Sequence, residues 1–147
     1  MTTTGLSIFD KTLQETNVWL KSLMDILYTD DRHAAYVVLR ATLHALRDRI
    51  GPENAVHLGA QLPMLLRGLF YEGWHMAGTP TREHNRQQFL DHVRLEMPPL
   101  LAQDAERAVR AVFAVMWEKV EPGEIAKVIG LLPADLRDLW PRLAQRH

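Results

Sequence analysis

Two Leu-Pro junctions, Leu62-Pro63 and Leu132-Pro133, constrain this chain more than any other feature. Each proline removes a backbone donor and pushes the leucine before it away from helical geometry. The first junction lies in the most apolar run of the sequence, Gln61-Leu62-Pro63-Met64-Leu65-Leu66-Arg67-Gly68-Leu69-Phe70-Tyr71-Glu72-Gly73-Trp74. The second lies in a paler copy, Leu131-Leu132-Pro133-Ala134-Asp135-Leu136-Arg137-Asp138-Leu139-Trp140. A sharp bend followed by a short helix is therefore expected twice.

The two junctions are 70 residues apart, and the same offset aligns Pro122 with Pro52 without a gap. Residues 35–71 and 105–141 share nine identities in 37 positions, among them Ala35, Arg40, Ala41, Leu66, Arg67 and Leu69. The stripe Leu39, Leu43, Leu46, Ile50 becomes Val109, Phe113, Met116, Val120, and Trp19, Leu20, Leu23, Leu27 become Phe89, Leu90, Val93, Met97. Self-similarity at a fixed period is the mark of a repeated structural unit. The expected fold is an all-α helical bundle of two similar units of three to four helices, one over about 8–74, a linker over about 75–80, and the other over about 81–143. All 147 residues are read as a single domain.

Taken in order, Ser7-Ile8-Phe9-Asp10 has the form of a helix start with Ser7 as N-cap. Phe9, Leu13, Thr16, Leu20, Leu23 and Leu27 then form one face of a helix over about 8–28. Asp30-Asp31 ends it and caps a second helix over about 33–49. Gly51-Pro52 turns into a third, with Pro52 as its first residue, and the fourth runs from 63 to about 73.

Composition removes several classes of function. The formal net charge is -1, so no bulk field favours nucleic acid or an anionic membrane. There is no cysteine for a disulfide framework, a zinc ribbon or thiol chemistry. Met1-Thr2-Thr3-Thr4-Gly5 lacks the features of a secretion leader, and no apolar run reaches bilayer length. The expectation is a cytoplasmic chain without a membrane anchor.

The string Ala35-Tyr36, Leu39-Arg40-Ala41, Leu43-His44-Ala45-Leu46-Arg47-Asp48-Arg49, Gln61 to Gly68 and Tyr71-Glu72-Gly73-Trp74 resembles the domain of unknown function 2267 family. The likeness spans about residues 12–143, including Ala111-Val112-Phe113 and Leu132 to Arg137. It implies a small bacterial helical protein and brings no activity, cofactor or catalytic residue.

Candidate chemistry is sparse. His33, His44, His57, His75, His84, His92 and His147 never combine into a metal-ligand motif, although His44 and Asp48 stand one helical turn apart. Ser7 and Ser22 have no nucleophile-elbow context, and Gly59, Gly68 and Gly73 are isolated rather than part of a phosphate loop. No catalytic residue, cofactor or metal is assigned. The acids Asp48 and Glu118 and the arginines Arg67 and Arg137 recur in both units. They are expected to form structural ion pairs, Asp48–Arg67 and Glu118–Arg137, with Arg40 and Arg110 as alternative partners. The bend at Pro63 superficially resembles a helix-turn-helix, but the following helix carries only Arg67 and Glu72 as charges, and its copy carries Asp135 and Asp138. That argues against base readout.

A wheel at 100° per residue splits the helix after Pro63 into two faces. Leu62, Leu66, Leu69 and Phe70 are kept in the second unit as Leu132, Leu136, Leu139 and Trp140. Met64, Arg67, Gly68, Tyr71 and Trp74, flanked by Leu65, are matched by Ala134, Arg137, Asp138, Pro141 and Asp135. The first helix is thus apolar nearly all round. Either its second face packs on residues 81–97 or 104–120, or Met64, Leu65, Tyr71 and Trp74 form a surface for a homodimer or protein partner. The functional reading is a non-catalytic protein-interaction or regulatory module. Its alternatives are a small apolar-ligand carrier with a pocket between the units, involving Met64, Met76, Met97 and Met116, a DNA-binding regulator, or an enzyme of unknown reaction.

Overall fold

A computed structural model describes residues 4–144 of the chain. His147 and the first three residues of the Met1–Gly5 stretch lie outside the described residues. Nine helices and no strand occur among the described residues: α1 (Ser7–Leu27), α2 (Arg32–Ile50), α3 (Pro52–Gly59), α4 (Met64–Tyr71), α5 (Arg86–Arg94), α6 (Pro99–Ala102), α7 (Ala105–Lys119), α8 (Pro122–Gly130) and α9 (Ala134–Arg137). The all-α reading holds. None of these helices is long and apolar enough to cross a membrane.

Local chemistry sets most boundaries. Asp31 caps α2 by accepting from the Ala34 amide, and Asn85 caps α5 by accepting from that of Gln88. Pro52 and Pro122 open α3 and α8, where a missing N–H costs nothing. Gly51 joins α2 to α3 at φ +85, a conformation that suits glycine. Ser7 is not the N-cap of α1: Leu6 holds that position without a side-chain bond. Thr4 closes the turn instead, its amide and hydroxyl both donating to Asp10 Oδ1 at 2.9 Å.

The helices pack in a cross-linked way. Both α1 and α5 lie against α2 and α7, α2 lies against α7, and α3 against α8. The core is one continuous cluster, in which Leu39, Leu43, Leu46, Phe70, Phe113 and Trp140 are fully buried. Trp140 stacks on Phe113 with ring centroids 4.0 Å apart.

α4 has only eight residues, too few to hold itself together by propagation alone. Three neighbours support it: α1, α2 and α3. At its start the Leu65 amide donates to the Thr12 hydroxyl of α1 at 2.8 Å. At its end two α2 side chains meet its free carbonyls. His44 Nε2 reaches the Leu69 oxygen at 2.7 Å, and Arg47 Nη1 donates to the oxygens of Phe70 and Glu72 at 3.0 and 3.1 Å.

Candidate functional site

The α1 stripe does two jobs. Its second half, Trp19, Leu20, Leu23 and Met24, is buried, whereas Phe9 at its start is 46% exposed. Between them α1 and α4 diverge around a cleft of about 490 Å³ lined by Leu13, Thr16, Leu20, Tyr36, Leu65, Gly68 and Leu69. It continues past Leu13, Leu65 and Gly68 into a second hollow of about 340 Å³, bounded by Thr4, Phe9, Thr12 and Met64. Leu39 and Leu66 are also part of the wall, with Asn17 and Glu72 supplying polar edges. The Thr16 hydroxyl is buried and has no hydrogen-bond partner. A Cβ added at Gly68 would meet nothing within 4 Å, so the glycine leaves space over α4.

Met64 and Leu65, at 45% and 47% exposure, form the rim of this cleft. Tyr71 and Trp74 do not join them. Their rings stack on each other with centroids 5.3 Å apart, beyond the other end of α4. Tyr71 lies over Gly59 of α3, where an added Cβ would run into its ring. Trp74 lies beneath the Arg47 guanidinium, 5.9 Å from the ring centroid. The four residues read as one surface are therefore two separate features. Nor do the methionines gather around a pocket: Met97 and Met116 are core, while Met64 and Met76 are exposed. A hollow of about 120 Å³ does lie among Leu27, Val38, Leu101 and Ala108.

The expected ion pairs are replaced by others. Asp48 takes Arg47 Nε at 2.9 Å and His92 Nε2 at 3.5 Å. Arg67 instead donates to the Gly59 and Leu62 oxygens at 2.9 and 3.1 Å, closing the exposed end of α3. Glu118 pairs with its neighbour Lys119, at 3.6 Å, and Arg137 is exposed. The nearer cation on α2 and the free carbonyls of α3 outcompete a cross-helix pair. Arg40 bridges Glu72 and Glu96, and Arg110 pairs with Glu106 and donates to the Asp138 carbonyl.

His44 and Asp48 face different partners. His44, 2% exposed, lies between Leu69 and the Glu96 carboxylate, whose oxygens are both 2.9 Å from Nδ1. Asp48 belongs with Glu83 and His92, whose Nδ1 is 3.2 Å from Glu83 Oε2. Hydrogen bonds from the ring to Asp48 and Glu83 outweigh burial and raise His92 to about 9. Burial acts to raise the two carboxyls, but hydrogen bonds from His92, with Arg47 for Asp48 and Thr81 for Glu83, hold both below their usual range. With a value of about 9 the ring favours its doubly protonated form at neutral pH, each nitrogen facing one carboxylate.

Sequence reasoning missed His44 and Arg47 as buried groups because charged and polar side chains normally face water. The signal was in the offset comparison of the sequence with itself. At the same offset of 70, His44 corresponds to Ala114 and Arg47 to Trp117, side chains that seek cover.

Beside α9, at the positions 70 residues on from Thr16, Tyr36, Leu65 and Gly68, four charged side chains meet. Arg86 of α5 reaches the Asp138 carboxylate, lies 3.4 Å from Glu106 Oε2 and 3.8 Å from Asp135 Oδ1, and its amide donates to Asp135 Oδ2 at 2.6 Å. Next to it a groove of about 640 Å³ along α5 and α7, lined in part by Gln87, Leu90 and Glu106, carries Arg94 and Arg110, which are already paired with Asp91 and Glu106.

The model of a family described as Uncharacterized conserved protein (DUF2267) matches residues 16–139, and the chain belongs to that family. No protein of curated function matches it.

Proposed function

We propose that this member of an uncharacterised helical family is a non-catalytic binding module whose receiving surface is the α1–α4 cleft. It is built from two units related by the 70-residue offset, about 8–74 with α1–α4 and about 81–143 with α5–α9, and a linker over about 75–80. Exchanging the units turns the α1–α7 packing into α5–α2 and the α1–α2 packing into α5–α7, while α2–α7 and α3–α8 map onto themselves. Such reciprocity is what a pseudo-two-fold arrangement of duplicated units requires.

One observation carries the reading. The cleft is open in the first unit, while Arg86 and its acids close the matching place in the second. An open apolar cleft is therefore not a requirement of the fold. The cleft is concave, mostly leucine and bordered by a few polar groups, as small binding sites are. Among the described residues its lining holds no nucleophile–base pair, which supports binding over catalysis.

A second reading is favoured by the exposed rim of Phe9, Met64 and Leu65: a protein partner or a second copy rests on it. Gentle native mass spectrometry of the purified chain separates these readings. A retained small mass, lost in Gly68→Leu, supports a cleft guest. A dimer lost in Leu65→Asp supports the second reading. Turnover of a substrate by a bare monomer contradicts both.

A further inference from the structure

We propose that the α1–α4 cleft takes an uncharged, largely apolar small molecule, lodged where the second unit lodges the Arg86 side chain. The inference rests on the binding reading above and names the class of guest.

The argument comes from matching the two sites at the offset of 70. Arg86 corresponds to Thr16, Glu106 to Tyr36, Asp135 to Leu65 and Asp138 to Gly68. The framework around them is conserved between the copies: Leu20, Leu66 and Leu69 stand where Leu90, Leu136 and Leu139 stand. In the second unit the space between helices holds an aliphatic stem ending in a cation, and three carboxylates surround its head. In the first unit the stem is absent and all three acids are gone together.

That concerted loss fixes the charge of the guest. A cationic head would find Tyr36, Leu65 and Gly68 in place of three acids, and burying it there would be costly. An anionic head fares no better, because no lysine, arginine or histidine among the described residues lines the cleft. The charged group that does, Glu72, already takes Arg40 at 2.9 Å. An uncharged molecule carries no such cost. A volume of about 490 Å³ suits a compact organic molecule. A three-turn helix, about 10 Å across, occupies on the order of 1,000 Å³ and would rest on the rim rather than enter. The Thr16 hydroxyl, buried without a partner, and the Tyr36 phenol offer a hydroxyl or carbonyl on the guest a place to bond.

Matched probes test this on the full chain: 1-octanol, octanoate and octylammonium, titrated by isothermal calorimetry and by amide chemical shifts. The expected result is octanol binding tighter than either ion by about tenfold or more, with shifts centred on Leu13, Leu65 and Gly68. Gly68→Leu, which fills open space and favours the helix, is expected to weaken octanol by about tenfold or more at unchanged helicity. The graft Thr16→Arg, Leu65→Asp, Gly68→Asp is expected to abolish binding. If the graft fails to fold, Gly68→Leu decides alone. Octanoate or octylammonium binding as tightly as octanol overturns the charge class and leaves the cleft reading standing. Binding of none of the three, or octanol binding undiminished by Gly68→Leu, overturns the cleft as a small-molecule site and the primary reading with it. A chain that dimerises through Phe9, Met64 and Leu65 and excludes octanol overturns the inference in favour of a second copy.

Discussion

Arg47 and Phe70 are joined end to end: the buried guanidinium, 4% exposed, donates to the Phe70 carbonyl at 3.0 Å and so finishes a helix it does not belong to. The same side chain pairs with Asp48 and covers the Trp74 ring. Replacing it with methionine keeps the volume but strands the carbonyls of Phe70 and Glu72. A cost of about 3 kcal/mol is expected, from the unsatisfied buried carbonyls and from leaving Asp48 with His92 as its remaining partner. In a chain of this size that lowers the melting temperature by about 10 °C. Circular dichroism melts check it, and an unchanged midpoint would show that α4 does not depend on α2.

Gly59 tests whether Tyr71 is a structural strut. Alanine in place of glycine inside a helix ordinarily stabilises by about 1 kcal/mol. Here the new Cβ collides with the Tyr71 ring, so Gly59→Ala is expected to destabilise by about 1–2 kcal/mol. In a Tyr71→Ala background the sign should reverse, and a double-mutant cycle measures the coupling. Additive effects would place the ring elsewhere.

Stability should depend on pH through His92. Its folded value, about 9, lies above the ordinary 6.5, so its contribution is complete below 6.5 and disappears as pH rises through 9. Asp48 and Glu83 are shifted down, so their contribution is present above their ordinary values and is lost in acid. Maximal stability therefore lies between about pH 5 and 6.5. The alkaline limb should cost on the order of 2 kcal/mol, since the His92 side chain is only 21% exposed. Urea titrations at several pH values are expected to reveal this limb in the wild type and a flat profile in His92→Gln. An unchanged limb in the variant would assign it to another group.

These sites also mark where the sequence was readable. Pro63, Pro52 and Asp31 act within one turn of themselves, so bends, helix starts and caps were legible there. The stripe Leu39-Leu43-Leu46-Ile50 was buried as its spacing required. Periodicity, however, identifies an apolar face and not what covers it. Phe9, Leu13 and Thr16 continue the α1 stripe, yet they border a cleft because α4 is short and meets α1 at that end through the Leu65–Thr12 hydrogen bond. The partner of a charge was not legible at all. Asp48 had several arginines within reach of a plausible fold, and it is the packing of α5 on α2 that brings His92 to it, with Glu83 supplied by the segment before α5.

Arg86 should contribute less than its several partners suggest. Its side chain is 29% exposed, and half-exposed pairs are worth little in water. Arg86→Ala is expected to cost about 1 kcal/mol at low salt, because Glu106, Asp135 and Asp138 then share Arg110, which pairs with Glu106 and Asp138, as their remaining cation nearby. Part of that loss should return in molar salt, where like charges are screened. A salt-independent loss would mean that the stem, not the charge, closes the site.

The most direct test of the central claim opens the second site. The reverse graft Arg86→Thr, Glu106→Tyr, Asp135→Leu, Asp138→Gly should turn the closed place into a copy of the first cleft. With helicity retained, titration with 1-octanol is expected to show two equivalents bound per chain instead of one, with new amide shifts around α5 and α9. A stoichiometry that stays at one in the folded variant would contradict the account, because the two places would then not be the same site opened and closed.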